Sequence, residues 1–286
     1  MNIDIKKLRE EGICAVPQMV DPKLIDEIKS EVDAVFNEND SKKLGAAVHV
    51  AALKPEHLTT YGEERANIEK EYPDFYLNES HFSKGVSHYR NLTNARSVLE
   101  PFINLPSTCK VLKNYPFLEI ASEYFGKKSK LGFTKVRRHF VNNLPRFDTN
   151  YFHIDDNCQD LLKGVMFLND IDMDGGPFVF IPKSQNDPVP SSRGTKWSRT
   201  DEEVAEYYGK DAAVYATAKK GDVVFANTVG IHKGNKPISQ DRNIFFFNFV
   251  LKPEYGGKSI KLKLKRENYE ELNEEQKDFV EFFEIV

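Results

Sequence analysis

Two imidazoles and one carboxylate can occupy one face of an octahedral metal ion, and this chain offers such a set in two pieces. His153-Ile154-Asp155 lies in mid-chain, His232 comes 79 residues after His153, and Arg242 lies ten residues beyond that. A facial set of this kind leaves adjacent positions open. It suits non-haem Fe(II), because the open positions can take a bidentate co-substrate and dioxygen. Arginine presents a planar fork to a distant carboxylate, and 2-oxoglutarate carries one. Together the four residues point to iron- and 2-oxoglutarate-dependent oxygenase chemistry.

Each residue also has a plainer reading. His-x-Asp occurs by chance in many proteins, as a surface loop with a satisfied histidine. On a strand, however, residues i and i+2 face the same side, so His153 and Asp155 can reach one metal while Ile154 faces the other layer. His232 follows the apolar stretch GDVVFANTVGIH and precedes Gly234-Asn235. It reads as a ligand, or otherwise as a turn or capping histidine. Arg242 opens the run RNIFFFNFV. A charge entering such a run stays at the edge or finds a buried anionic partner, which a bound dicarboxylate would supply. Ser239, three residues earlier, could donate a second hydrogen bond to it.

The elements that must position these residues are legible in outline. Asp21-Pro22 reads as an N-cap with proline at the first helical position, followed by Leu24, Ile25, Ile28, Val32 and Phe36 at helical spacing. Ile13 to Val16 reads as an early strand. Residues 95–126 read as helical pieces broken by Pro101, Pro106 and Pro116 and ending at Gly126. Beyond residue 130 the character changes. Segments 131–142, 161–168, 178–181, 222–226 and 243–251 are short, β-branched and aromatic, with Gly, Pro, Asn and Asp between them. That pattern predicts one domain over residues 1–286: a helical N-terminal region to about 128, an antiparallel β core over about 130–252, and a helical tail over about 266–286. Phe279, Val280 and Phe283 face inward from a helix over 274–283.

Composition narrows the function classes. Lys plus Arg is 40 against 44 Asp plus Glu, a formal charge of −4, which gives no support to a nucleic-acid partner. Cys14, Cys109 and Cys158 are odd in number and form no CxxC pair, which argues against a disulfide framework or zinc ribbon. No stretch has the length of a membrane span, and the polar N-terminus lacks a signal-peptide run, so the expected location is cytoplasmic.

The chain resembles the phytanoyl-CoA dioxygenase family of iron/2-oxoglutarate oxygenases over about residues 10–252. Three segments carry the resemblance: His153-Ile154-Asp155; Met166 to Asp172 followed by Gly175-Gly176-Pro177-Phe178 and Ile181-Pro182-Lys183-Ser184-Gln185; and the series His232, Asn235, Ser239, Arg242. It implies a mainly β fold with flanking α-helices, a double-stranded β-helix or jelly roll of cupin-like type. It also implies Fe(II) on His153, Asp155 and His232, 2-oxoglutarate on Arg242, Ser239 and Asn142, and release of succinate and carbon dioxide. Lys183 and Gln185 stand where the family's Pro-Gly-Ser-His stretch has Gly and His, a departure read as bearing on substrate type. Halogenating relatives carry Gly or Ala at the carboxylate position; Asp155 is retained here, which favours hydroxylation.

Matching Asn142 to Pro145 with the family's corresponding strand end turns Arg138, Phe140 and Asn142 inward and His139 outward. Arg138 then meets an anionic small-molecule substrate or 2-oxoglutarate; the alternative is an outer-face salt bridge. Asn157 shares the parity of the metal pair and is a further substrate candidate, as are Tyr89 in the stretch 85–90 and Trp197 in the polar segment 184–217. That segment reads as a lid or as a decorated surface loop. Cys158 reads as a packing residue. Two rivals remain open: desaturation, cyclisation or epoxidation by the same cofactor class, and a non-catalytic jelly-roll binding protein.

Overall fold

The computed structural model describes residues 3–38, 48–49, 94–98, 100–144, 146, 148–155, 161–186, 199–252, 254–255, 258–259 and 262–286. Tyr89, Asn157, Cys158 and Trp197 lie outside these.

Helix α1 (Ile5–Glu11) starts where the Asp4 carboxylate accepts from the Lys7 amide and stops at Gly12, whose φ of 78° is left-handed. Strand β1 (Ile13–Val16) follows, then α2 (Pro22–Phe36), capped by Asp21, with Leu24, Ile25, Ile28, Val32 and Phe36 on its buried face. Strands β2 (Val48–His49), β3 (Ala95–Val98), β4 (Lys130–His139), β5 (Leu161–Phe167), β8 (Val223–Ala226) and β10 (Arg242–Val250) join β1 in one antiparallel sheet of order β1-β8-β5-β10-β4-β3-β2. A second antiparallel sheet has the order β7-β6-β9, from β6 (Phe178–Phe180), β7 (Val214–Ala216) and β9 (His232–Gly234).

Alternation along the strands divides the interior into two layers. Phe245, Phe247 and Phe249 of β10, with Leu162, Met166, Val223 and Phe225, pack against the helices, including Pro101–Asn104, Thr108–Asn114 and Phe117–Phe125. Ile244 and Phe246 of β10, with Val165, Phe167, Val224 and Ala226, face the other way and meet Phe178, Phe180 and Ala216 of the small sheet. The architecture is a multi-stranded antiparallel core flanked by helices. The tail contributes Arg266–Glu270 and Glu274–Phe279, with Phe279, Val280 and Phe283 buried. Among the described residues no helix is long and apolar enough to cross a membrane.

One local expectation is corrected. Residues 95–98, read as helical, form β3, because pairing with β4 (Ala95↔His139, Val98↔Val136) overrides local preference. Within 184–217 the chain forms the capped helix Asp201–Tyr208 and strand β7, too short to carry a periodic signal.

Candidate metal centre

The two halves of the histidine set meet through the backbone. His153 N–H donates to His232 O at 2.9 Å, and His232 N–H donates to His153 O at 2.9 Å. Residues directly opposed in an antiparallel pair present their side chains on one face, and here the rings lie 4.3 Å apart between centroids. Asp155, two residues on, is anchored by its own N–H to Thr228 O at 2.8 Å. One ligand atom from each of His153, Asp155 and His232 falls within 4.8 Å of the others. Both histidines are buried.

Hydrogen bonding behind the rings determines which nitrogen is offered. His153 Nδ1 lies 2.9 Å from Tyr151 O, and His232 Nδ1 lies 2.9 Å from Gly230 O. A carbonyl only accepts, so each Nδ1 carries the proton and each Nε2 keeps its lone pair for a metal. Burial above all, and then His153, lower the His232 pKa to about 3, so its imidazole is neutral at neutral pH. Burial alone would push the Asp155 carboxyl up. The Lys163 ammonium, through its charge and its hydrogen bond, outweighs burial and holds it well below the ordinary carboxylate range. Two Nε2 donors and one carboxylate form the donor set that Fe(II) accepts with open positions.

Arg242 lines a cavity that His153, His232, Lys163, Arg137 and His139 also line. It is 2% exposed, and among the described residues it makes no ion pair. One of its terminal nitrogens donates to Asn235 O at 2.9 Å, while its buried Nε has no partner. Burial first, and then Arg137, bring its pKa down to about 9, the mark of a buried cation lacking an anion. Gly234 leaves room for it, since a Cβ there would lie 2.9 Å from a terminal guanidinium nitrogen and displace it. A dicarboxylate end fits this place.

Register decides which arginine faces the cavity. Arg242 pairs with His139, Asn243 with Arg138 and Ile244 with Arg137. His139 and Arg137 therefore share the inner face with Arg242, and Arg138 lies on the helix side. There its Nε donates to Asn243 Oδ1 at 2.7 Å, its guanidinium pairs with Asp33 of α2, and it stacks over Phe36 at 4.6 Å. The inward assignment of Arg138 is thus corrected to the outer-face salt bridge, and that of His139 is reversed. Phe140 is likewise on the helix side, edge-on to Phe36 at 5.9 Å. Asn142 uses its side chain locally, accepting from Leu144 N–H at 3.2 Å, and Ser239 is exposed in the turn before β10. Neither residue lines the cavity. We expect Arg138→Gln to lower stability by about 1.5–3 kcal/mol through loss of charge-assisted hydrogen bonds, while the 2-oxoglutarate requirement stays at wild type. Chemical denaturation alongside steady-state kinetics checks both halves.

The Lys183 and Gln185 departures have a structural role. Lys183 takes a left-handed φ of 68° at the family's glycine position. Its N–H donates to Glu11 O, and Gln185 Nε2 donates to the carbonyls of Arg9 and Glu10, so this turn docks on the end of α1. Between them, Ser184 Oγ accepts from Ile231 N–H at 2.8 Å, next to His232.

A sequence model described as Phytanoyl-CoA dioxygenase (PhyH) matches residues 8–244. The chain belongs to the phytanoyl-CoA dioxygenase family. No curated protein matches it. Among solved structures it is similar to the non-haem α-ketoglutarate-dependent carbocyclase SnoK from nogalamycin biosynthesis, at 12% identity and TM-score 0.56, over 86% of this chain and 82% of that one. It is also similar to the epimerase SnoN from the same biosynthesis, at 15% identity and TM-score 0.52, over 86% and 79%. HygX from Streptomyces hygroscopicus, with nickel, 2-oxoglutarate and hygromycin B bound, matches at 12% identity and TM-score 0.51, over 85% and 84%. At these identities the likeness is one of fold. Family membership and the two-histidine, one-carboxylate cluster together make this phytanoyl-CoA dioxygenase relative a non-haem iron oxidoreductase with Fe(II) as cofactor and 2-oxoglutarate as co-substrate.

Lys163 was missed by the sequence reading, although the signal was present: it is the only charge in the strand LLKGVMF, the same anomaly that marked Arg242. His139 and Arg137 needed the register.

Proposed function

We propose that this chain oxidises a small-molecule substrate, with 2-oxoglutarate consumed to succinate and carbon dioxide. The observation that carries the reading is the metal-competent triad together with a buried arginine that lines the same cavity as His153 and His232 and makes no ion pair among the described residues. In this reading Nε2 of His153, Nε2 of His232 and an oxygen of Asp155 hold Fe(II), which when bound supplies the activation of dioxygen. Arg242 fixes the far carboxylate of 2-oxoglutarate and so orients its other end toward the triad. His139, whose imidazole is held well below its ordinary pKa by burial and then by Arg242, is the register partner of Arg242 and lines the same cavity. Phe178, Ile244 and Phe246 line the same space and exclude water from it. Arg137, on the inner face, replaces Arg138 as the arginine placed to meet an anionic substrate. The two antiparallel sheets, stacked over a common apolar layer, are read as the walls of a jelly roll.

Hydroxylation is one outcome of this chemistry. The likeness to a carbocyclase and an epimerase favours a second reading, in which the oxidised carbon closes a ring, desaturates or is epoxidised instead of gaining a hydroxyl. Product mass after a screen of small carboxylates and natural-product scaffolds separates them. A gained oxygen marks hydroxylation or epoxidation, loss of two hydrogens marks ring closure or desaturation, and unchanged mass marks epimerisation. We expect substrate-dependent succinate release with Fe(II) present. If iron-loaded protein consumes no 2-oxoglutarate at all, with or without these scaffolds, the catalytic reading is lost.

A further inference from the structure

Lys163 has a place at the metal centre that the ligand set does not account for. Its register partners Asn248 of β10 and Ala226 of β8 turn it to the inner face, where it lines the cavity with His153 and His232. Its Nζ donates to Asp155 Oδ2 at 2.5 Å, and its side chain is 16% exposed. The same Oδ2 lies 3.8 Å from His232 Nε2, so the lysine engages the carboxylate oxygen nearest that ring and leaves Oδ1 without a hydrogen bond among the described residues.

A carboxylate can bind a metal through one oxygen or through both. Binding through both would take a position that the bidentate co-substrate or dioxygen needs. A charge-assisted donor on one oxygen draws that lone pair away from the metal and fixes the plane of the group. We infer that Lys163 is a positioning residue that restricts Asp155 to single-oxygen ligation and thereby keeps an adjacent metal position open. The inference rests on the metal reading above and adds to it a determinant of coordination number.

Two variants test it. Lys163→Met keeps the length and removes the donor, and Lys163→Arg keeps a donor. Lys163→Gln, neutral and shorter, replaces the methionine variant if that one does not fold. With Mn(II) as the probe, water-proton relaxation counts the exchangeable waters on the metal. Lys163→Met should show one fewer than wild type, with Mn(II) affinity equal or tighter, because the freed carboxylate now chelates. Its 2-oxoglutarate affinity, measured on the metal-loaded protein without turnover, should fall by roughly tenfold. Lys163→Arg should restore both. A lysine that serves only folding would lower thermal stability and leave the water count unchanged, and that result overturns the inference. An unchanged water count together with wild-type 2-oxoglutarate affinity overturns it too, while the metal reading stands. Wild-type protein that takes up no Mn(II) removes the metal reading, and the inference with it.

Discussion

Replacing His232 with alanine is expected to reduce substrate-dependent succinate formation to background and to abolish tight Fe(II) binding. The imidazole is one of three converging donors, and its Nε2 is already freed for metal by the Nδ1 contact with Gly230 O. With only one imidazole and one carboxylate left, the metal loses a fixed face and the co-substrate loses its orientation. His153→Ala and Asp155→Ala should behave alike. The backbone pair between residues 153 and 232 uses main-chain atoms only, so circular dichroism should report a folded protein in each case. Full turnover by any iron-loaded variant would remove that residue from the ligand set.

Arg242→Ala is expected to weaken 2-oxoglutarate binding by on the order of ten- to a hundredfold, the equivalent of about 1.5–3 kcal/mol for a charge-assisted bidentate contact. Arg242→Lys should recover part of this, since an ammonium lacks the planar fork. Arg242 is a buried cation that makes no ion pair among the described residues and leaves a buried Nε unpartnered, so in the ligand-free protein one hydrogen bond to Asn235 O offsets only part of its desolvation. Arg242→Met should therefore melt no lower than wild type in the absence of 2-oxoglutarate. Added co-substrate should then raise the melting temperature of the wild type and barely move that of the variant. Equal ligand-induced shifts in both proteins would place the carboxylate clamp elsewhere.

Both expectations rest on residues whose type and spacing are visible without a structure. His153 and Asp155 announce themselves because side-chain direction on an extended strand has a fixed period of two. Arg242 announces itself because a charge at the head of RNIFFFNFV is costly without an anion, and Lys163 in LLKGVMF obeys the same logic. The helix α2 was readable for an equally local reason, the Asp21-Pro22 start and a complete apolar stripe. What the sequence by itself determined is therefore the donor set, the arginine at the head of β10 and the segments that carry them. What only the tertiary structure decided is which face of β4 looks inward. Parity within one strand has two solutions, and a slip of one residue exchanges every side chain between the faces. The choice is made by hydrogen-bonded register with β10, which sets His139 opposite Arg242 and sends Arg138 to Asp33 on the helix layer. Likewise, no local pattern could show that Lys163, His153 and His232 meet, because the contact runs across two sheets and depends on the backbone bonds that join residue 153 to residue 232.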